Sequence, residues 1–205
     1  MRLGWFRPIR GGNLTGINLF IGELMSKRLE LLGAMLPQDG AYRGVRESSE
    51  SGARAEAQVK EAESAVAGMG VQVCIFQAGT IQQINAAFAT FATDPPDALF
   101  VSPDPYYSVR RAQLVTLAAR HAIPASFSVC DFVEAGGLMS YGTNIVDSYR
   151  QAGVYTGRVL KGTKPADLPV VQSSKVELAI NIQSARMLGL TVPNSLLAIA
   201  DEVIE

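Results

Sequence analysis

Apolar positions in this chain recur with two periods, and their alternation predicts an α/β protein. From Asn18 to Leu36, Leu19, Phe20, Leu24, Leu31, Leu32 and Met35 fall at helical spacings, and Pro37 ends the run. Ala41–Arg54 (AYRGVRESSESGAR) has no apolar period and reads as loop or disorder. Ala55–Met69 is helical again, through Val59, Ala62, Val66 and Met69, and Val71–Phe76 reads as a strand. Thr80–Thr93 predicts a helix capped by Thr80, with Ile84, Ala87, Phe88 and Phe91 inward. Ala98–Val101 is continuously apolar, as in a strand covered on both faces. Tyr106–His121 predicts a helix with Val109, Leu114, Leu117 and Ala118 inward. Strands follow at Ile123–Ser128 and Leu138–Tyr141, then a helix over Ile145–Lys161 that stops at Gly162. A strand at Val176–Asn181, a short helix at Ser184–Leu188 and a terminal helix over Pro193–Glu205 complete the pattern. This order implies an α/β parallel sheet with helices on both faces. Ligands of such sheets bind beyond the carboxyl ends of the strands. The loops of interest are therefore 77–79, 102–106, 128–131 and 141–144, which carry hydroxyls, carboxylates and aromatic rings.

Composition narrows the function. The chain has 205 residues, 48% of them hydrophobic and 18% charged, enough for a sizeable core in one or two domains. Eighteen basic residues against nineteen acidic ones give a net charge of −1, so nothing favours a nucleic-acid partner. Two cysteines, Cys74 and Cys130, and one histidine, His121, supply neither a disulfide framework nor a zinc site. Gly11-Gly12 lacks the spacing of a phosphate loop, and Arg110-Arg111 reads as a solvated helix face. No cofactor, metal or catalytic residue is expected. No apolar run is long enough to span a membrane, and Met1–Arg10 has no export-signal core.

Six motifs then occur in one order: DALFVSPD (97–104), LAARHAIP (117–124), EAGGLMSYG (134–142), GRVLKGTKPADLP (157–169), LGLTVP (188–193) and ADEVIE (200–205). The set resembles the bacterial ABC-transporter substrate-binding proteins of the family that includes tryptophan- and tyrosine-binding members. The resemblance runs from about Gly11 to Glu205. It implies a type I periplasmic-binding-protein fold, with two lobes that close on a solute. On that basis residues 13–136 are the second lobe. Residues 138–205 are the return to the first lobe, the hinge and the C-terminal helix, with the first half of lobe one absent. The intact family member would be periplasmic and would deliver its solute to an ABC permease in the membrane.

The strand-end loops supply the ligand-binding candidates Ser102, Asp104, Tyr107, Ser128, Tyr141 and Asn144. Each has an alternative. Ser102 and Asp104 bind solute or cap the helix that follows. Tyr106 and Tyr107 stack on a ligand ring or pack in the core. Ser128 and Asp131 face a cleft or cap the next turn. Gly136-Gly137 supplies the bend where the chain changes lobe. Tyr141 and Asn144 precede a helix N-terminus suited to a carboxylate, or Asn144 caps it. Asp147 complements that helix dipole, as His121 does at the other kind of end. Cys130 and Cys74 are small hydrophobes or, less simply, nucleophiles. The reading is a solute-binding component of an ABC importer, for a small organic solute such as an aromatic amino acid, and shortened at its start. The alternatives are a ligand-sensing regulatory domain of the same fold, an inactive gene fragment and an α/β enzyme.

The resemblance also implies a strand at 41–51, reading like Arg-Val-Ala-Val-Leu-Val-Asn-Pro-Asn-Asn-Pro. Codons compatible with Ala41–Ser51, read one base later, permit Arg-Ile-Ala-Val-Ser-Val-Asn-Pro-Ala-Asn-Pro without a stop. We therefore hypothesise a compensated frameshift that removes a core strand and a ligand loop. Sequencing the gene through codons 41–52 decides it: codons incompatible with the second reading would sink the hypothesis.

Overall fold

The computed structural model describes residues 12–19, 24–36, 43–48 and 72–205. The chain divides into two compact units, Met1–Phe20 with Thr143–Lys175 and Ile21–Gly142 with Val176–Glu205. It therefore passes between them three times, at 20/21, 142/143 and 175/176.

The larger unit is built on one sheet. Its strands are β2 (Arg43–Ser48), β3 (Gln72–Gln77), β4 (Ala98–Val101), β5 (Ala125–Phe127), β6 (Met139–Thr143), β8 (Val176–Asn181) and β9 (Glu202–Ile204). They lie in the order β3-β2-β4-β5-β6-β8-β9. Pairing is parallel from β3 through to β6 and again between β8 and β9. Between β6 and β8 the Asn181 N–H donates to Leu138 O and the Asn144 N–H to Lys175 O, so these two run antiparallel. One strand pair thus departs from the all-parallel sheet expected.

Strand alternation sends side chains to two cores. Leu99 and Val101 of β4 join Ala125 and Phe127 of β5 under the helices Ile81–Phe91 and Arg111–Arg120. Ala98 of β4 and Met139 of β6 join Leu178 and Ile180 of β8 under the Met25–Gly33 helix. Thr80 caps its helix as expected, its side chain accepting from the Gln83 N–H, and Ile84, Ala87, Phe88 and Phe91 are all buried.

The smaller unit contains β1 (Ile17–Asn18) and β7 (Val171–Gln172), paired in parallel, and the Ile145–Leu160 helix. Thr15 Oγ1 donates to Leu168 O (2.9 Å), and the Ser148 and Ser173 hydroxyls meet at 3.1 Å.

Several expectations are corrected. Arg43–Ser48, read as loop or disorder, is a strand, with Arg43–Ser48 in register with Gln72–Gln77 and Gly44–Glu47 with Ala98–Val101. Backbone ladders on both sides outweigh the polar local pattern, because strand preference is set by context. Asn18 lies in β1, and the helix there spans Met25–Gly33. The helix predicted over 55–69 lies outside the described residues. The helix expected over Tyr106–His121 is two, Pro105–Val109 and Arg111–Arg120, broken at Arg110 (φ −103°, ψ 19°). Leu114 and Ala118 are buried and Leu117 packs against the core as expected, joined by Val115, while the break leaves Val109 81% exposed. Pro193–Glu205 is a short helix, Asn194–Leu197, followed by β9, so this end completes the large sheet rather than packing as a helix. Gly136-Gly137 does make a bend (φ +100° at Gly136), but within the larger unit; the passage between units comes at Gly142/Thr143.

Candidate functional site

Strand order places the site. The run β3-β2-β4-β5-β6 reverses direction between β2 and β4. In a doubly wound sheet that switch point opens a crevice beyond the strand ends, because neighbouring loops leave in opposite directions. The loop after β4 borders it.

In that loop Ser102 is buried. Asp104 Oδ1 accepts from the Tyr106 N–H (2.7 Å), so Asp104 caps the Pro105–Val109 helix, with Pro105 in the first turn. Tyr107 is wholly buried, and its hydroxyl donates to Ala78 O at 3.1 Å. It joins the loops after β3 and β4 from the core side and offers no surface to a solute. This resolves its alternatives in favour of packing. Ser128, half-buried, ends β5. Its carbonyl oxygen lies only 1.8 Å from where a Cβ on Gly142 would sit, so only glycine fits this approach of the β5 and β6 ends. Tyr141, also half-buried, packs against the core cluster of Met139 and Ile180. Asp131 is exposed at the start of the short Asp131–Glu134 helix.

Asn144 belongs to the smaller unit, where its Oδ1 accepts from the Asp147 N–H (2.6 Å) and caps the Ile145–Leu160 helix. Gln151 and Arg150 donate to the Asp147 carboxylate, holding its pKa below the ordinary value. Ser102, Asp104, Ser128 and Tyr141 thus share the carboxyl-end edge of one sheet, and Asn144 stands in the other unit.

Sequence reasoning missed Arg28. This residue is 2% exposed, and its Nη2 donates to Val101 O (2.9 Å) and Ser126 O (2.7 Å). The guanidinium carbon lies 3.8 Å from the Phe100 ring centre. A signal existed, because position 28 falls inside the helical stripe between Leu24 and Leu31. An apolar groove lies at the opposite end of the sheet, lined by Ala118, Ile123, Ala125, Phe127, Leu138 and Met187 among others. The one hydroxyl lining it, from Ser184, already donates to Gly136 O (2.8 Å).

Residues 5–204 match the family described as ABC transporter substrate binding protein. This chain belongs to that family. Among solved structures, a Streptococcus pneumoniae ABC domain in complex with L-tryptophan superposes with a TM-score of 0.79 at 29% identity, over 95% of this chain and 66% of that one. A conserved domain protein from Vibrio cholerae gives 0.80 at 22% identity, over 94% and 64%. The ligand-free, open form of a Clostridium difficile substrate-binding protein with adhesive properties gives 0.64 at 21% identity, over 93% and 62%. The chain therefore spans just under two thirds of the length of these relatives, and its fold is that of type I periplasmic binding proteins. No curated protein matches it in sequence.

In this substrate-binding protein the described cysteine is not a poised nucleophile. The Cys130 thiol donates to Glu202 Oε2 at 3.3 Å. Burial, followed by the Glu202 hydrogen bond and charge, pushes its pKa from 9.0 up to about 12. His121 closes the Arg111–Arg120 helix beside Phe88, 5.8 Å between rings. Because the folded pKa is raised, the protonated thiol favours the folded state. That contribution is present below pH 9 and is lost as pH rises from 9.0 toward about 12. Alkylation by iodoacetamide at pH 8, followed at the Cys130 peptide by mass spectrometry, should run at least tenfold slower than in urea, and Glu202→Gln should speed it. Equal rates in folded and unfolded protein would contradict this.

Proposed function

We propose that this chain is the solute-binding component of an ABC importer. It binds a small organic solute, an aromatic amino acid or a similar organic acid, and hands it to a membrane permease. The observation that carries the reading is the set of polar strand-end loops bordering the β2/β4 switch point in a member of this family. The L-tryptophan held by the Streptococcus pneumoniae relative supports the solute class. Ser102, Asp104, Ser128 and Tyr141 are the polar candidates of the larger unit, with Tyr107 bracing the loops after β3 and β4 from behind. Asn144 is the candidate that the smaller unit carries.

Binding follows the lobe closure of this family's fold, in which solute contacts stabilise the closed state. No bond is made or broken in the solute, and ATP is hydrolysed on a different subunit. The working location is the periplasm, and a net charge of −1 gives nucleic acid no purchase. Titration calorimetry with the aromatic L-amino acids should show saturable one-site binding of at least one. Ser128→Ala should weaken it by about tenfold, the effect of one lost hydrogen bond. Failure of all of them, and of the other L-amino acids, to bind would overturn the reading.

A further inference from the structure

After β4 one arrangement is explained only in part by packing and capping: the Tyr106 ring packs against the core cluster and edge-on to Tyr107, and Arg110 ends the helix, yet polar atoms of both are left over. The Pro105–Val109 helix and its break set Tyr106 and Arg110 one turn apart, with the guanidinium carbon 4.6 Å from the Tyr106 ring centre. Both side chains are half-buried. The Tyr106 hydroxyl and Arg110 Nε are each shut off from solvent, and neither has a hydrogen-bond partner among the described residues. Arg110 has no ion pair among the described residues. Its neighbour Arg111 behaves as the sequence suggested, exposed and donating to Ser108 O (3.2 Å).

A buried donor left unsatisfied costs about 1–3 kcal/mol, so two of them side by side require a reason. A cation at a helix C-terminus is favourable, and that accounts for the charge of Arg110. It accounts neither for the buried Nε nor for the orphan phenol. Arg110 remains charged at any working pH, and stacking on Tyr106 fixes the plane of its fork. The edge of a guanidinium that carries Nε matches the two oxygens of a carboxylate, and a phenol adds a third donor. The helix that carries them follows the loop after β4, which borders the switch point.

We infer that Tyr106 and Arg110 are the carboxylate-recognising element of the solute site, and that the solute is a carboxylate anion. This rests on the strand-end loops being the solute face, and adds to that reading the chemical group recognised and the two residues that recognise it. The solute carboxylate accepts from Arg110 and from the Tyr106 hydroxyl. Binding thereby satisfies two donors that have no partner among the described residues, which favours anionic solutes over their neutral amides.

Sodium acetate is the probe, titrated against sodium chloride at equal ionic strength. The readout is the Arg110 Nε–H resonance, assigned by its loss in Arg110→Gln. A saturable shift with acetate and none with acetamide is expected. No shift, or an equal shift with acetamide, overturns the inference. Tyr106→Phe should weaken the acetate response at least threefold while leaving Tm unchanged or slightly raised, since it removes an unpaired buried hydroxyl. A lowered Tm with an unaltered acetate response would mark Tyr106 as structural and overturn its part. If acetate shifts Arg110 but no amino acid binds, the solute reading fails and the anion site stands.

Discussion

The functional edge of this protein depends on a charge placed inside it. Arg28 reaches from the Met25–Gly33 helix to the carbonyls of Val101 and Ser126, at the carboxyl ends of β4 and β5. Stripping an arginine of water costs several kcal/mol, and the interior must compensate. Two charge-assisted hydrogen bonds and the face of Phe100 do so. The carbonyls gain as well, since a buried acceptor without a donor is itself costly. One side chain thereby fixes a helix to two adjacent strand ends, and the loops that leave those ends carry Ser102, Asp104 and Ser128. Tyr107 ties the loop after β4 to the loop after β3 from the other core, through Ala78. Each face of the sheet thus sends one polar group to this edge.

Much of this fold was legible because its signals are local. Thr80 and its four apolar partners sit in one helix, and Ala98–Val101 reads as doubly covered because every residue in it is buried. What failed to read was set by the rest of the chain. The Arg43–Ser48 strand has no pattern of its own and is defined by the ladders on either side. The helix break at Arg110 leaves the apolar spacing of 111–121 intact and turns Val109, just before it, out to solvent. The terminal segment bends back into the sheet as β9, where the Asp201 N–H and carboxylate both bond the backbone of Leu178.

The candidate site was read from position, and the structure shows what position leaves out. Polar residues in strand-end loops also serve the helices that start in them. Asp104 and Asn144 each spend a carboxylate or amide oxygen on a helix N-terminus. Tyr107 turned inward while Tyr106, beside it, kept an unpaired hydroxyl. Adjacent residues on a short helix point in different directions, and the sequence alone does not say which way the turn faces. Arg28 and Arg110 share a lesson: a charge inside an apolar stripe or at a helix break is a question about partners, and the charge count alone passes over it.

The central claim is that Arg28 holds the strand ends from which the proposed solute loops leave. Amide hydrogen exchange of Arg28→Met against the parent protein tests it most directly, because methionine keeps the bulk and removes the donors. The account predicts faster exchange concentrated at the ends of β4 and β5 and in the loops 102–106 and 128–131, with β8 and β9 unchanged. Unaltered exchange at those loops, or a uniform rise across the whole sheet, would contradict it.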